Sequence, residues 1–220
     1  MANKLLPATA TLFLVILSVS ISDSATLSIA NADSDLVLDT DGNPLELGSL
    51  YYMQPTNIGF TGVIRRSSRP GTGIPCPLYA TVYPTGIHEG GPLRFIPINI
   101  TQNQIHLSSV LAIDSGFSDY CRDFGLWTLR YDFVNRGPVV IAAGAFDSRG
   151  TRFMIEKAEG QPSYKIEVSP VQPLAQEHRM YLTVFRDFQS RMWMLGITYG
   201  PTGALQVEFH KYKDDVVASI

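Results

Sequence analysis

Few residues in this 220-residue chain have side chains that could do chemistry. Cys76 and Cys121 are the two cysteines, and His88, His106, His178 and His210 the four histidines. Asp114-Ser115-Gly116 offers a hydroxyl, Arg65-Arg66-Ser67-Ser68-Arg69 a cluster of cations, and Asn99-Ile100-Thr101 a single acceptor sequence for N-glycosylation. The segment His88-Glu89-Gly90-Gly91-Pro92-Leu93-Arg94-Phe95-Ile96-Pro97 sets one arginine between two prolines that restrict φ. An arginine on a stiffened segment can be offered to a protein pocket that ends in a carboxylate.

Most of these candidates reduce to structure. The histidines lack the spacing of metal ligands and no Cys-x-x-Cys is present, so no metal, cofactor or redox pair is expected. Ser115 has no Gly-x-Ser-x-Gly context and reads as part of a turn. Without an acid, base and nucleophile cluster, the chain is not expected to be an enzyme. The cluster Arg65–Arg69 reads as a solvated loop, or else as a proteolytic target, and Arg186-Asp187-Phe188-Gln189-Ser190-Arg191 as the cap of a hairpin.

The elements that must position these residues are strands. From Leu36 to Tyr212, short runs of period two are separated by Gly, Pro, Asn and Asp, as in Trp127, Leu129, Tyr131, Phe133 and in Tyr164, Ile166, Val168. About a dozen strands are expected, near 36–39, 50–54, 62–65, 78–83, 93–98, 105–113, 126–132, 139–143, 152–157, 164–168, 181–186, 191–197 and 204–211. Helical periodicity is absent. The pattern divides into three blocks of about 59 residues and permits a sandwich or a barrel. Val37 to Met53 reads as an opening hairpin: Asp41-Gly42 suits a residue at positive φ, and Asn43-Pro44 forbids a continuing helix.

Composition sets the compartment and the size. Lys4 followed by an apolar run to Ile21 and small residues after it has the layout of a secretory signal peptide over 1–25, with cleavage between 22 and 32. The remainder, at 33–213, forms one domain. Charged residues are 17% and hydrophobic ones 45%, enough to bury a core, and a dispersed net charge of −3 offers no basic face for nucleic acid. No second apolar run could span a membrane, so a monomer secreted or delivered to a vacuole is expected. In an oxidising compartment Cys76 and Cys121 bond to each other, closing a loop of about 45 residues.

Val37, Asp39, Asp41-Gly42-Asn43, Leu45, Tyr51 and Met53 resemble the N-terminal signature of the plant Kunitz family, the soybean trypsin inhibitor type. Cys76-Pro77-Leu78, Gly91-Pro92-Leu93-Arg94-Phe95, Phe124-Gly125-Leu126-Trp127 and Phe153-Met154-Ile155-Glu156 follow in that family's order. The resemblance implies an all-β β-trefoil of about twelve strands with a single disulfide. It also implies an inhibitor of serine endopeptidases, trypsin-like ones first, that presents an exposed substrate-like loop.

That loop falls at Pro92, Leu93, Arg94 and Phe95, with Arg94 as the specificity residue and Arg94-Phe95 as the bond offered. A register one or two residues earlier would offer Leu93 or Pro92, and leucine would favour chymotrypsin-like or subtilisin-like partners. In many relatives the Phe of this segment is instead a core strand residue and the residue before it faces solvent. Leu47 stands where the family's trypsin inhibitors prop the loop with asparagine, and Ser169-Pro170 stands where they begin a second disulfide. A glycan on Asn99 would lie five residues beyond Arg94. A non-inhibitory trefoil for storage, carbohydrate binding or protein interaction is the alternative.

Overall fold

Short apolar and β-branched runs between turns form twelve strands: β1 (Leu50–Pro55), β2 (Val63–Ser67), β3 (Tyr79–Tyr83), β4 (Leu93–Pro97), β5 (Leu111–Asp114), β6 (Leu126–Asp132), β7 (Gly137–Gly144), β8 (Phe153–Lys157), β9 (Tyr164–Val168), β10 (Met180–Arg186), β11 (Trp193–Tyr199) and β12 (Gln206–Lys211). The computed structural model describes residues 35–71, 75–84, 86, 90–99, 103–116, 121, 125–144, 152–159, 162–169 and 179–213. The chain divides into Met1–Asp35 and Leu36–Ile220, and the second unit carries the fold. The signal peptide expected at 1–25 lies outside the described residues.

Six strands close a barrel. β1 pairs with β4 and β12, β5 with β4 and β8, and β9 with β8 and β12, all antiparallel. Closure leaves none of these six a free edge. The remaining six form hairpins β2–β3, β6–β7 and β10–β11, and β3, β7 and β11 pair with one another in a triangle. Three hairpins capping a six-stranded barrel make a β-trefoil, as expected.

The barrel is filled by inward side chains from every trefoil unit. Phe95 meets Phe209 edge-on at 5.1 Å, Tyr164 lies 5.4 Å from Phe209, and Trp127 crosses Phe153 at 6.3 Å. Phe95, Trp127 and Phe209 are all buried, and each such ring contributes roughly 2–3 kcal/mol by leaving water. Cys76 and Cys121 are bonded, with Cα atoms 5.6 Å apart and 45 residues between them. On the chain-entropy argument that closure stabilises by about 4 kcal/mol.

Two expectations are corrected. The opening hairpin is shorter than Val37 to Met53: Leu38 bridges Pro44, and the Leu45 N–H bonds the Val37 carbonyl at 2.8 Å. Leu50–Met53 belongs to β1 and pairs with β12. Gly42 does take positive φ, 81°, while Asp39 Oδ1 accepts the amides of Asp41 and Asn43. The strand expected at 105–113 is confined to β5, because Ser108 sits at φ 57° in a turn that interrupts it. The run Trp127, Leu129, Tyr131, Phe133 does not stay inside: Trp127 is buried, but Tyr131 and Phe133 are 55% and 86% exposed, since they lie toward the tip of the β6–β7 hairpin, away from the barrel.

Candidate inhibitory site

β4 holds the residues expected to form the inhibitory loop, and both its edges are occupied. Leu93 and Arg94 pair with Tyr51 and Leu50 of β1, while Arg94, Phe95, Ile96 and Pro97 pair with Asp114, Ile113, Ala112 and Leu111 of β5. The strand alternates, so Leu93 and Phe95 are each 1% exposed while Arg94 faces outward. A peptide entering a protease cleft must free its main chain to pair with the enzyme, and the main chain at Arg94 lies between two strands. Leu93, Arg94 and Phe95, expected in the exposed loop, are thus residues of a barrel strand, with Arg94 exposed and its two neighbours buried. Pro92 and Gly91, just before β4, are only partly buried. The Gly91 N–H bonds the Ile64 carbonyl at 3.2 Å, which ties this approach to β2. His88 and Glu89 lie outside the described residues.

Asp114 organises the outer face beside Arg94. Its carboxylate is 3.6 Å from the Arg94 guanidinium and accepts the Gly116 N–H at 2.8 Å. Arg66 Nη1 donates to the Gly116 carbonyl at 2.5 Å. Burial pushes the Arg66 guanidinium below its ordinary range, and the nearby Asp114 charge opposes that only in part. Ser115 is buried and donates its hydroxyl to the Gly125 carbonyl at 2.8 Å, so the turn reading of Asp-Ser-Gly stands. Gly125 takes φ 72°, and a Cβ there would fall 1.9 Å from the Gly116 oxygen. Only glycine fits this crossing.

The sequence reading missed a buried ionic cluster at the meeting of the hairpins. Arg69 contacts Asp132 at 2.8 Å and Asp187 at 3.0 Å, and its side chain and theirs are almost fully enclosed. Asn135 donates to both Asp132 and Asp187, and its carbonyl accepts the Phe188 N–H at 3.2 Å. Burial pushes the Asp187 carboxyl up, but hydrogen bonds from Ser190 and Asn135 and the Arg69 charge outweigh it and hold the group below the usual carboxylate range. The cluster at Arg65–Arg69 is thus no solvated loop: Arg69 is 6% exposed, and Arg65 and Arg66 are half-buried. Nothing local in the sequence marked it: Asp132 ends β6 and Asp187 follows β10, positions ordinary for turn residues.

Other expected residues have structural settings. His210 lies 3.2 Å from the Thr40 hydroxyl and 3.0 Å from Glu208, while His106 bridges Leu36. Among the described residues, no group of three or more His, Cys, Asp or Glu could hold a metal ion. Leu47 donates its main-chain N–H to the Asn103 carbonyl at 2.9 Å, and Ser169 bonds the Arg152 carbonyl. Asn99 is exposed, and the rest of its sequon lies outside the described residues.

Residues 37–211 match the family model for Kunitz trypsin and protease inhibitors. The chain belongs to the Kunitz family. It is 32% identical over 164 residues to Kunitz-type trypsin inhibitor 1 of Selenicereus undatus, covering 74% of this chain and 93% of that one. It is 29% identical over 173 residues to the alpha-amylase/subtilisin inhibitor of Hordeum vulgare, covering 76% and 82%. Alocasin, the protease inhibitor of giant taro, superposes with a TM-score of 0.65 at 26% identity, covering 81% of this chain and 99% of its own. These relatives are named as inhibitors and not as enzymes. In this chain the disulfide encloses the segment that leads into β4, since Cys76 precedes it and Cys121 follows β5.

Proposed function

We propose that this Kunitz protein inhibits a serine endopeptidase through the surface formed by Gly90, Gly91, Pro92 and the outward face of Arg94. The observation that carries this reading is the likeness, over nearly the whole trefoil, to relatives named for trypsin and subtilisin inhibition. A rigid barrel supports it: a segment anchored by β4 on one side and by Gly91 to Ile64 on the other loses little freedom on docking. In this arrangement Arg94 meets the enzyme as a cation at the rim, and the Arg94-Phe95 bond stays in the sheet. The protein acts as a single domain over 33–213, as a monomer, exported behind a signal peptide and carrying a glycan at Asn99. Export accords with the Cys76–Cys121 bond.

A second reading is favoured by one specific observation. Arg94 has the Asp114 carboxylate 3.6 Å away within the protein, and its neighbours Leu93 and Phe95 are buried, as in a strand with no inhibitory task. On that reading the trefoil is a storage, carbohydrate-binding or protein-interaction module. Titration of trypsin, chymotrypsin, subtilisin and papain with the purified protein separates the two. Inhibition of a serine enzyme supports the first, and full activity of all four at large excess supports the second.

A further inference from the structure

β2, β3, β11 and β10 lie side by side, and a cleft of about 730 Å³ opens across them. That volume falls within the range of small-molecule sites. Arg65 and Arg66 enter from β2, and Arg186 and Arg191 from the β10–β11 hairpin. Among the described residues that line the cleft there is no carboxylate. Asp187, between the last two arginines in sequence, is fully buried and turned to Arg69 and Ser190.

Among the described residues, the four guanidinium groups use only part of their donor capacity. Arg66 gives one bond to Gly116, and Arg186 Nε gives one to the Arg191 carbonyl at 3.1 Å. Arg65 Nε is buried without a hydrogen-bond partner among the described residues. A guanidinium carries five N–H donors, and fork-shaped pairs of them match the oxygens of a tetrahedral anion. Arg66 lies near the Asp114 charge, but no carboxylate among the described residues lines the cleft beside Arg65, Arg186 and Arg191, and gathering these cations is unfavourable until an anion arrives.

Aromatic surface accompanies the charge. The Arg65 guanidinium lies 3.5 Å from the centroid of the Tyr83 ring, and that of Arg186 lies 5.8 Å from Trp193. Tyr83 and Trp193 both line the cleft. They hold the arginine planes in place and leave apolar surface for a flat body.

We propose that this cleft binds an oxyanion carried on an aromatic body, an aryl phosphate or aryl sulfate. The charged head is held by Arg65, Arg66, Arg186 and Arg191, and the ring packs on Tyr83 and Trp193. The site is separate from the protease contact and would remain if that contact were lost.

The test is quenching of tryptophan fluorescence by 4-nitrophenyl phosphate, 4-nitrophenyl sulfate and neutral 4-nitrobenzyl alcohol. Saturable quenching by an anionic probe, absent with the alcohol and lost in Trp193→Phe, is the expected result. Arg65→Gln and Arg186→Gln should each weaken binding about tenfold or more, as expected for a lost charged hydrogen bond, while Arg94→Gln leaves it unchanged. Should Arg65→Gln fail to fold, Arg191→Gln on the exposed turn serves the same purpose. Preference for the phosphate assigns the doubly charged head, and equal or tighter binding of the sulfate assigns the singly charged one. Absence of saturation up to about 10 mM, quenching by the alcohol at similar concentrations, or affinity unaltered in the arginine variants would overturn the proposal.

Discussion

Arg69 and Asp187 are 118 residues apart in sequence and meet at 3.0 Å, both buried where the hairpins come together. Arg69 also holds Asp132, so one cation ties the β2–β3, β6–β7 and β10–β11 hairpins to one another. A charge removed from water needs partners on most of its donors. Here the partners come from each of the other two trefoil units, which makes the cap depend on all three being in place.

Asp187→Ala should therefore destabilise the protein by about 3–5 kcal/mol, the range for removing one partner of a buried pair. Urea unfolding at neutral pH measures this. Replacing Arg69, Asp132 and Asp187 together by apolar residues should cost less than that single change, because no uncompensated charge would be left.

The same carboxylate predicts a pH dependence. Its pKa is lower folded than unfolded, so its contribution is fully present above the unfolded value, about 4. It is lost as the pH falls through the folded value. The stability difference between wild type and Asp187→Asn should thus be largest near neutral pH and shrink by pH 3. Equal differences at both pH values would show that the ionised form is not what the cap stabilises.

Neighbours in β4 should behave very differently. Phe95→Ala is expected to cost about 3–5 kcal/mol through lost burial and a cavity, whereas Arg94→Ala should cost less than about 1 kcal/mol, as for a part-exposed ion pair. Similar small effects at both positions would indicate a loop rather than a barrel strand.

Gly125→Ala meets two obstacles at once, a positive φ and the Gly116 oxygen at 1.9 Å from the added carbon. We expect a loss of about 3 kcal/mol or more, since the crossing must open to admit it. Gly203→Ala, where φ is 79° and nothing lies within 4 Å, should cost only the backbone strain. The difference in Tm between the two isolates the steric part.

Strands such as β4, β8 and β12 were legible because apolar and polar side chains alternate along them, while their closure into a barrel was implied by the family resemblance and not by the period. Leu93, Arg94 and Phe95 follow that alternation so closely that it predicts a strand near 93–98. The resemblance to a family of inhibitors placed a loop on the same residues. Tertiary pairing decided between them, since β1 and β5 flank Arg94 on both sides. Tyr131 and Phe133 kept the alternation of Trp127 and Leu129 yet lie outside, because period alone does not tell that this run extends to the tip of a hairpin. The Arg69 cluster had no local signature: its partners are 63 and 118 residues away, and only the assembled cap brings them within reach. The cleft of four arginines was hidden for the same reason, as β2 and β10 are neighbours only through β3 and β11.

Titration of active-site-calibrated trypsin, chymotrypsin and subtilisin with wild type and Arg94→Glu tests the central reading most directly. The account predicts inhibition of at least one of these with a Ki below about 1 μM, weakened about tenfold or more in Arg94→Glu by reversal of a charge at the rim. It also predicts that the Arg94-Phe95 bond is intact after prolonged incubation. Full activity of all three enzymes at a hundredfold excess, or cleavage between Arg94 and Phe95, would contradict it.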